Sequence, residues 1–220
     1  MSICHNQDAV LFSGGMVFCS EECSFMPRDV LCINGIIVKI AEKISEADAC
    51  VVDCTGLYLL PGLVDGHTHG RAGYDFNAIN SDAVTDMRRA YAKAGTTTIM
   101  ATLASDTMDG LNHSIEIINR QREVTPGMTT IAGIHLEGRY LNPKKRGAHA
   151  TDLLAPMDAA EVEQMLMKMC PLPVHMSGAF ELPGGDECIR RAIHMGATCS
   201  MAHTDSSFEE ACHAVNMGVT

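Results

Sequence analysis

The pattern of apolar and polar residues changes character near residue 60. Before that point, short apolar and β-branched runs alternate with turn residues. The runs at 30–33 and 36–40 are separated by Asn34-Gly35, a pair that favours a type I′ hairpin turn. Four more short strands are predicted, at 9–12, 16–18, 50–53 and 57–60. The pattern predicts that residues 1–60 form a small β domain.

After residue 60, strand-like runs alternate with segments of helical periodicity. Strands are predicted at 62–65, 96–101, 129–136, 173–176 and 197–201, and helices at 81–94, 109–122, 158–169, 186–195 and 207–217. Ser81 or Asp82 is the predicted N-cap of the first helix. Such alternation is typical of a parallel sheet covered by helices, either an open doubly wound sheet or an eightfold barrel.

Length decides how much of either architecture the chain can hold. A complete barrel takes roughly 250 residues, or about 30 for each βα unit. Residues 61–220 therefore have room for five units and the start of a sixth strand. We expect the sequence to be truncated relative to a complete fold.

Composition excludes several classes of partner. The net charge of −11 argues against nucleic acid and against anionic membrane surfaces. No run approaches the 18 apolar residues of a membrane span, and residues 1–8 do not resemble a signal peptide. The ten cysteines are scattered without a Cys-x-x-Cys pair, so we expect reduced thiols and a cytoplasmic location.

Metal-binding side chains follow three of the predicted strands. His67 and His69 follow the first strand, Glu137 follows the third and His203 follows the fifth. Both candidate architectures collect ligands at the carboxyl ends of their strands, so these side chains are expected to converge. Imidazole and carboxylate together suit a divalent ion such as zinc or iron. His175, inside an apolar strand, is expected to belong to the core or to act as an outer hydrogen-bond donor rather than as a ligand.

The segment after Glu137 is longer than the two to six residues usual for a loop between a strand and a helix. It contains the basic run Lys144-Lys145-Arg146 and ends at His149, which can reach a substrate carbonyl or hydroxyl. The basic run is open to two interpretations. It either attracts an anionic ligand or is simply a solvated surface.

Three segments together resemble a known family. Residues 61–70 read PGLVDGHTHG and, after a small β domain, resemble the amidohydrolase superfamily of metal-dependent hydrolases. Residues 135–149 read HLEGRYLNPKKRGAH and closely resemble the signature of N-acetylglucosamine-6-phosphate deacetylases. Residues 202–205, AHTD, match that family's Gly-His-Ser/Thr segment in position. The chain departs from the family at Arg139, which replaces the usual proline, and at Ala202, which replaces a glycine.

The resemblance implies a TIM-like (β/α)₈ barrel of α/β class, with a β-sandwich built from both chain ends. It implies one or two divalent metal ions, one held by Glu137 and His203 and a second by His67 and His69. It places substrate contacts at Ala148 and His149. A further histidine ligand and the catalytic aspartate are expected beyond Thr220. The implied protein is a cytoplasmic homodimer when full length.

The implied reaction removes the acetyl group of N-acetylglucosamine 6-phosphate, a small phosphorylated amino sugar, to give glucosamine 6-phosphate and acetate. Without the late-barrel residues, the 220-residue chain is expected to have little or no such activity. Two alternatives stay open. One is another amidohydrolase, dihydroorotase-like or dipeptidase-like, although the fourth strand lacks the lysine more usual there. The other is an inactive fragment or a metal-binding module.

Overall fold

The chain divides into two compact units, one ending at Pro61 and one running from Gly62 to Thr220. The computed structural model describes residues 9–78 and 80–220. The expectation about a signal peptide concerns residues 1–8 and lies outside the described residues. No helix within the described ranges is long and apolar enough to cross a lipid bilayer.

The first unit contains one sheet of five strands. They are β1 (Ala9–Cys19), β2 (Ser24–Ile33), β3 (Ile36–Ala41), β4 (Cys50–Asp53) and β5 (Tyr58–Leu59). The order is β3-β2-β1-β4, and β5 also pairs with β1. Strands β2 and β3 form the predicted hairpin, since Asn34 and Gly35 both have positive φ, at 51° and 76°.

Two strands predicted around Gly14-Gly15 are in fact one, so that prediction was wrong. Strand β1 runs through both glycines, and its pairing with β2 shifts between Phe12 and Gly15. A bulge of this kind bends a strand without ending it. Gly14 has φ +79°, and a Cβ at that position would lie 2.8 Å from Oγ1 of Thr55.

A buried carboxylate on β2 joins the bulge of β1 to the segment that follows β3. Asp29 accepts hydrogen bonds from the Ser13 hydroxyl (3.0 Å) and from the backbone N–H groups of Gly14 and Ile44 (both 2.9 Å). Burial acts to raise the pKa of Asp29, but the hydrogen bonds from Ile44, Gly14 and Ser13 outweigh it and hold the pKa below its ordinary value.

The second unit repeats strand and helix five times. Its strands are β6 (Leu63–Thr68), β7 (Thr96–Leu103), β8 (Thr130–Glu137), β9 (Val174–Gly178) and β10 (Thr198–Met201). Its helices are α1 (Ser81–Lys93), α2 (Met108–Arg120), α3 (Ala159–Met169), α4 (Gly185–His194) and α5 (Phe208–Asn216). All strand pairs are parallel, and the sheet order is sequential, β10-β9-β8-β7-β6. A doubly wound sheet reverses its order at a switch point, whereas a barrel does not, so this unit is part of a (β/α)₈ barrel.

Local signals explain where the helices begin. Asp158 caps α3 by accepting from the N–H groups of Ala160 and Glu161, and Ser207 forms a capping box with Glu210 at α5. Helix α1 is capped by Asn80, whose side chain accepts from Ala83, so the prediction of Ser81 or Asp82 was wrong by one or two positions. Asparagine is as good an N-cap as serine or aspartate.

The core of the second unit lies between the sheet and the helices. Leu111, Ile115 and Ile118, the predicted apolar face of α2, are all buried there. Arg88 of α1 is also buried and ties down the segment that leads into β8. Its guanidinium donates to the carbonyls of Gln121, Glu123 and Thr129 at 2.7–3.0 Å.

Among the described residues, eight cysteines carry free thiols: Cys19, Cys23, Cys32, Cys54, Cys170, Cys188, Cys199 and Cys212. Burial raises the pKa of Cys188 and of Cys199 to about 11, which keeps both thiols protonated and unreactive at neutral pH. Cys50 is disulfide-bonded, so the expectation of reduced thiols was wrong for that residue. Spacing along the sequence does not reveal which cysteines pair.

Candidate metal centre

The carboxylate of Glu137 lies at the centre of three histidines from two other strand ends. Oε2 lies 3.2 Å from Nε2 of His67 and 2.9 Å from Nε2 of His69, while Oε1 lies 3.2 Å from Nε2 of His203. Glu137 is the last residue of β8, His69 follows β6 and His203 follows β10. His67, which the sequence placed just past a strand, lies within β6 because that strand extends to Thr68.

The electrostatics of the cluster favour an anionic glutamate. Burial acts to raise the pKa of Glu137, but hydrogen bonds and charge from His69, His67 and His203 lower it to about 2. The same hydrogen bond to Glu137 is the main cause that raises the pKa of His69. Lys144 and Lys145, seven and eight positions after Glu137, pair with Asp205 and not with Glu137.

The cluster fits a metal ion because lone pairs face one another within it. Nε2 of His67 and Nε2 of His69 are 3.3 Å apart, and both face Oε2 of Glu137. Neutral imidazole nitrogens and a carboxylate oxygen approach so closely either when an imidazole N–H donates to the carboxylate or when a metal ion binds their lone pairs. These three residues form one group whose ligand atoms lie within 4.8 Å of one another.

The ring of His203 is held in one orientation by its second nitrogen. Nδ1 lies 2.9 Å from the carbonyl oxygen of Lys145, which can only accept, so Nδ1 carries the proton. Nε2 would then be able to give its lone pair to an ion held beside Glu137. A backbone partner of this kind is the usual support for a metal-binding histidine.

His149 belongs to a second compact group with Glu137 and His203, but its hydrogen bonds differ from those of His203. Nδ1 of His149 accepts from the backbone N–H of Ser105 (3.2 Å), and the Ser105 hydroxyl lies 2.9 Å away. A backbone N–H can only donate, so the neutral ring carries its proton on Nε2. Burial lowers the pKa of His149, which favours that neutral form.

The long loop after β8 carries the other predicted substrate contact and the basic run. Ala148 is exposed, and its methyl side chain has no polar atom with which to bind a ligand. Lys144 and Lys145 lie 3.1 and 3.3 Å from Asp205, and Arg146 donates to the backbone carbonyl of His149. This part of the loop is tied to its neighbours by its cations.

Arg139, the departure from the family pattern, turns away from the cluster. Its guanidinium lies 3.1 Å from Oε1 of Glu161 on α3 and donates to the carbonyl of Asp106. Arg139 has φ 29°, in the left-handed region that is rare for residues other than glycine. The substitution therefore adds a structural ion pair and leaves Glu137 in place.

Glu181, which the sequence did not single out, fastens the loops around the cluster. It accepts from the Thr204 hydroxyl (2.6 Å), the Asn142 side-chain amide (3.0 Å) and the N–H of Asp205 (2.9 Å). The N–H of Asn142 also donates to the carbonyl of His203 at 3.0 Å. Three loops are thus held together beside His203.

A row of polar side chains crosses the sheet below the cluster. His135 lies 3.2 Å from Thr102 and 2.7 Å from Ser177, which lies 2.8 Å from Ser200. Ser200 in turn lies 2.8 Å from Nε2 of His175. His175, expected either in the core or as an outer hydrogen-bond donor, is half-buried and lies at the end of this row. Burial lowers the pKa of His135 to about 4, so its ring is neutral.

Known proteins resemble this chain over most of its length. No family model matches the chain. It is similar to an N-acetylglucosamine-6-phosphate deacetylase from Lysinibacillus sphaericus, at 24% identity over 192 residues, which are 87% of this chain and 50% of that protein. The chain spans about half the length of the curated relatives it matches. The solved structure of an N-acetylglucosamine-6-phosphate deacetylase from Pasteurella multocida matches this chain with a TM-score of 0.84 at 19% identity. The match covers 96% of this chain and 55% of that one.

A shorter match points elsewhere. A dihydroorotase from Ruminiclostridium cellulolyticum is 42% identical over 72 residues, which are 32% of this chain and 16% of that protein. The structural likeness supports the barrel fold, and the sequence resemblance to the deacetylases covers far more of the chain than the likeness to the dihydroorotase.

Proposed function

We propose that the chain is the part of a deacetylase that holds the metal and contacts the acetyl group of N-acetylglucosamine 6-phosphate. One observation carries the proposal. Each oxygen of the buried Glu137 carboxylate faces a different histidine set, with His67 and His69 on one side and His203 on the other. This arrangement supports a carboxylate shared by two cation sites.

Glu137 and His203 would hold one divalent ion, zinc or iron, and His67 and His69 with Glu137 a second. When bound, such an ion supplies Lewis acidity and lowers the pKa of water towards neutrality. Glu137 remains anionic throughout, because its low pKa keeps it deprotonated at any pH at which the enzyme would act. The protein's own contribution is to hold the metal-binding side chains in fixed positions, where the Glu137 carboxylate balances part of the charge of an ion.

His149 would bind the substrate rather than the metal. With Nδ1 accepting from Ser105, Nε2–H is the donor of a ring that forms one compact group with Glu137 and His203. A donor at this position suits a carbonyl or hydroxyl oxygen, such as the acetyl oxygen on which charge develops during amide hydrolysis. Ala148, next to it and exposed, would offer only backbone and methyl contacts to the sugar phosphate.

The remaining parts of the proposal follow the resemblance. Residues 1–60 would be part of a β-sandwich, and residues 61–220 the first five βα units of the barrel. The full-length protein would be a cytoplasmic homodimer. Size-exclusion chromatography with light scattering tests the dimer directly.

The substrate is tested by titrating the zinc-loaded chain with N-acetylglucosamine 6-phosphate, followed by calorimetry and by histidine-selective ¹⁵N NMR. We expect saturable binding that shifts the His149 signals and is lost in His149→Ala. The exposed His194→Ala is the matched control and should bind normally. Acetate release, measured on the same samples, tests whether binding leads to hydrolysis.

A second candidate is a dihydroorotase-like hydrolase, which the 72-residue match favours. Dihydroorotate is therefore titrated in parallel. Binding of dihydroorotate at the His149 site, without binding of the sugar phosphate, would replace the deacetylase proposal by this alternative.

A further inference from the structure

We propose that Tyr91, a helix residue outside the ligand cluster, is the positioning residue that sets His69 for metal binding. This inference rests on the assignment of His67 and His69 to a metal site under the proposed function. Tyr91 lies on α1 and is 3% exposed. Its hydroxyl donates to the carbonyl of Gly70 at 2.9 Å and makes a short hydrogen bond with the hydroxyl of Thr68.

Thr68 and Gly70 are the residues on either side of His69. The phenol oxygen of Tyr91 therefore links the backbone carbonyl of Gly70, which follows His69, to the side chain of Thr68, which precedes it. Thr68 is the last residue of β6, so the contact acts where the regular strand ends and the ladder no longer holds the chain. A buried hydroxyl that bridges two such groups fixes their separation, and with it the direction of the histidine between them.

Other contacts close the same turn. The N–H of Thr68 donates to Oγ1 of Thr102 at 2.9 Å, and the N–H of Phe76 donates to the carbonyl of His69 at 2.8 Å. Gly70 has φ +151°, and a Cβ there would lie 2.0 Å from the carbonyl oxygen of Tyr74. These contacts hold the backbone, whereas Tyr91 is the side chain that links it to α1.

The Tyr91 ring is itself held in place. The guanidinium of Arg71 lies 5.4 Å from the ring centroid, a distance at which a cation is attracted to the ring face. Burial is the main cause that raises the pKa of Tyr91, so the phenol keeps its proton and remains a donor at neutral pH. The hydroxyl has no contact with the ligand atoms, so its effect on metal binding is indirect.

The test compares Tyr91→Phe with the parent chain in a Co²⁺ titration followed by histidine-selective ¹⁵N NMR. Outer contacts that orient a ligand are worth about 10–100-fold in metal affinity. We expect Tyr91→Phe to weaken by that factor the binding step that shifts His67 and His69, and to leave the step that shifts His203 unchanged. Thr68→Val removes the other partner of the short bond and should act in the same direction.

Tyr140→Phe is the matched control. Tyr140 is the other buried tyrosine of the described residues, and its hydroxyl donates to Glu161 on α3 at 2.5 Å. Removing it tests the general cost of losing a buried phenol bond. We expect both Co²⁺ steps to be unchanged in this variant.

Two outcomes would overturn the inference. One is an unchanged Co²⁺ affinity at His67 and His69 in both Tyr91→Phe and Thr68→Val. The other is an equal loss in Tyr91→Phe and Tyr140→Phe, which would indicate a general loss of stability. If the parent chain binds no Co²⁺ at these histidines, the metal site assigned to His67 and His69 under the proposed function is wrong. Tyr91 is then judged in the metal-free chain, where Tyr91→Phe must shift the His69 ring signals and spare those of His203.

Discussion

The rings of His149 and His203 lie against each other with their centroids 4.8 Å apart, yet their hydrogen bonds require opposite tautomers. The carbonyl of Lys145 places the proton of His203 on Nδ1, whereas the backbone N–H of Ser105 places that of His149 on Nε2. Two adjacent residues of the same type are thereby suited to the different tasks proposed for them, His203 as a ligand and His149 as a donor.

The first prediction concerns these tautomers. In the metal-free chain at neutral pH, long-range ¹H–¹⁵N correlation should show a protonated Nδ1 for His203 and a protonated Nε2 for His149. Loss of the signals in His203→Ala and His149→Ala assigns them. The same tautomer in both rings would contradict the division of roles.

The second prediction concerns Glu137→Gln. Glutamine keeps the size of the side chain but removes the negative charge that the three histidines surround. Zn²⁺ affinity should fall by at least about 100-fold, more than the loss of an outer contact. Calorimetric titration measures it. Glu116→Gln, the same change on the exposed face of α2, should bind as the parent does, and retention of full affinity in Glu137→Gln would remove Glu137 from the ligand set.

The third prediction concerns Arg88→Lys. Lysine cannot reach three carbonyls with a planar fork, so one or two buried oxygens would lose their donor. Each such loss costs about 1–3 kcal/mol in the free energy of unfolding. Urea denaturation of the second unit should show it, while Arg89→Lys, on the exposed side of the same helix, should leave the midpoint almost unchanged.

The fourth prediction concerns Asp29→Asn. The amide cannot accept all three hydrogen bonds, and the free energy of unfolding of the first unit should fall by about 1–3 kcal/mol near neutral pH. Because the pKa of Asp29 is lowered in the folded state, its contribution is fully present above the ordinary value of 3.8 and is lost as the pH falls below it.

Denaturation of the Asp29→Asn variant and of the parent, measured at several pH values, tests the sign. The two stabilities should converge as the solution is acidified below pH 3.8. A difference that stayed constant down to that range would argue against a charged Asp29 as its cause. Asp48→Asn, an exposed position in the same unit, serves as the control.

Much of the barrel unit could be predicted because its signals are local. Alternating periodicity located all five strands and helices of residues 62–220, and Asn34-Gly35 located a hairpin. The convergence of Glu137, His67, His69 and His203 followed from one general rule, that parallel strands end at the same edge.

The supporting residues could not be predicted, since their roles depend on partners distant in sequence. Ser105 acts on a histidine 44 positions away, and Tyr91 acts on a turn 21 positions earlier. Ser105 is typical of a loop and Tyr91 of the apolar face of a helix, so neither residue type indicates a further role. The choice between a core position and an outer-donor role for His175 could not be made for the same reason, because only the fold brings Ser200 to its ring.

The ion pairs of Asp205 bear on how quickly an anionic ligand could be captured. A cluster of free cations attracts anions over distances near the Debye length of about 8 Å, and the resulting association rate falls steeply with ionic strength. Lys144 and Lys145 already share a carboxylate, and the chain as a whole carries a charge of −11. Around this loop, encounters with a sugar phosphate should therefore proceed at an ordinary diffusive rate that changes little with added salt.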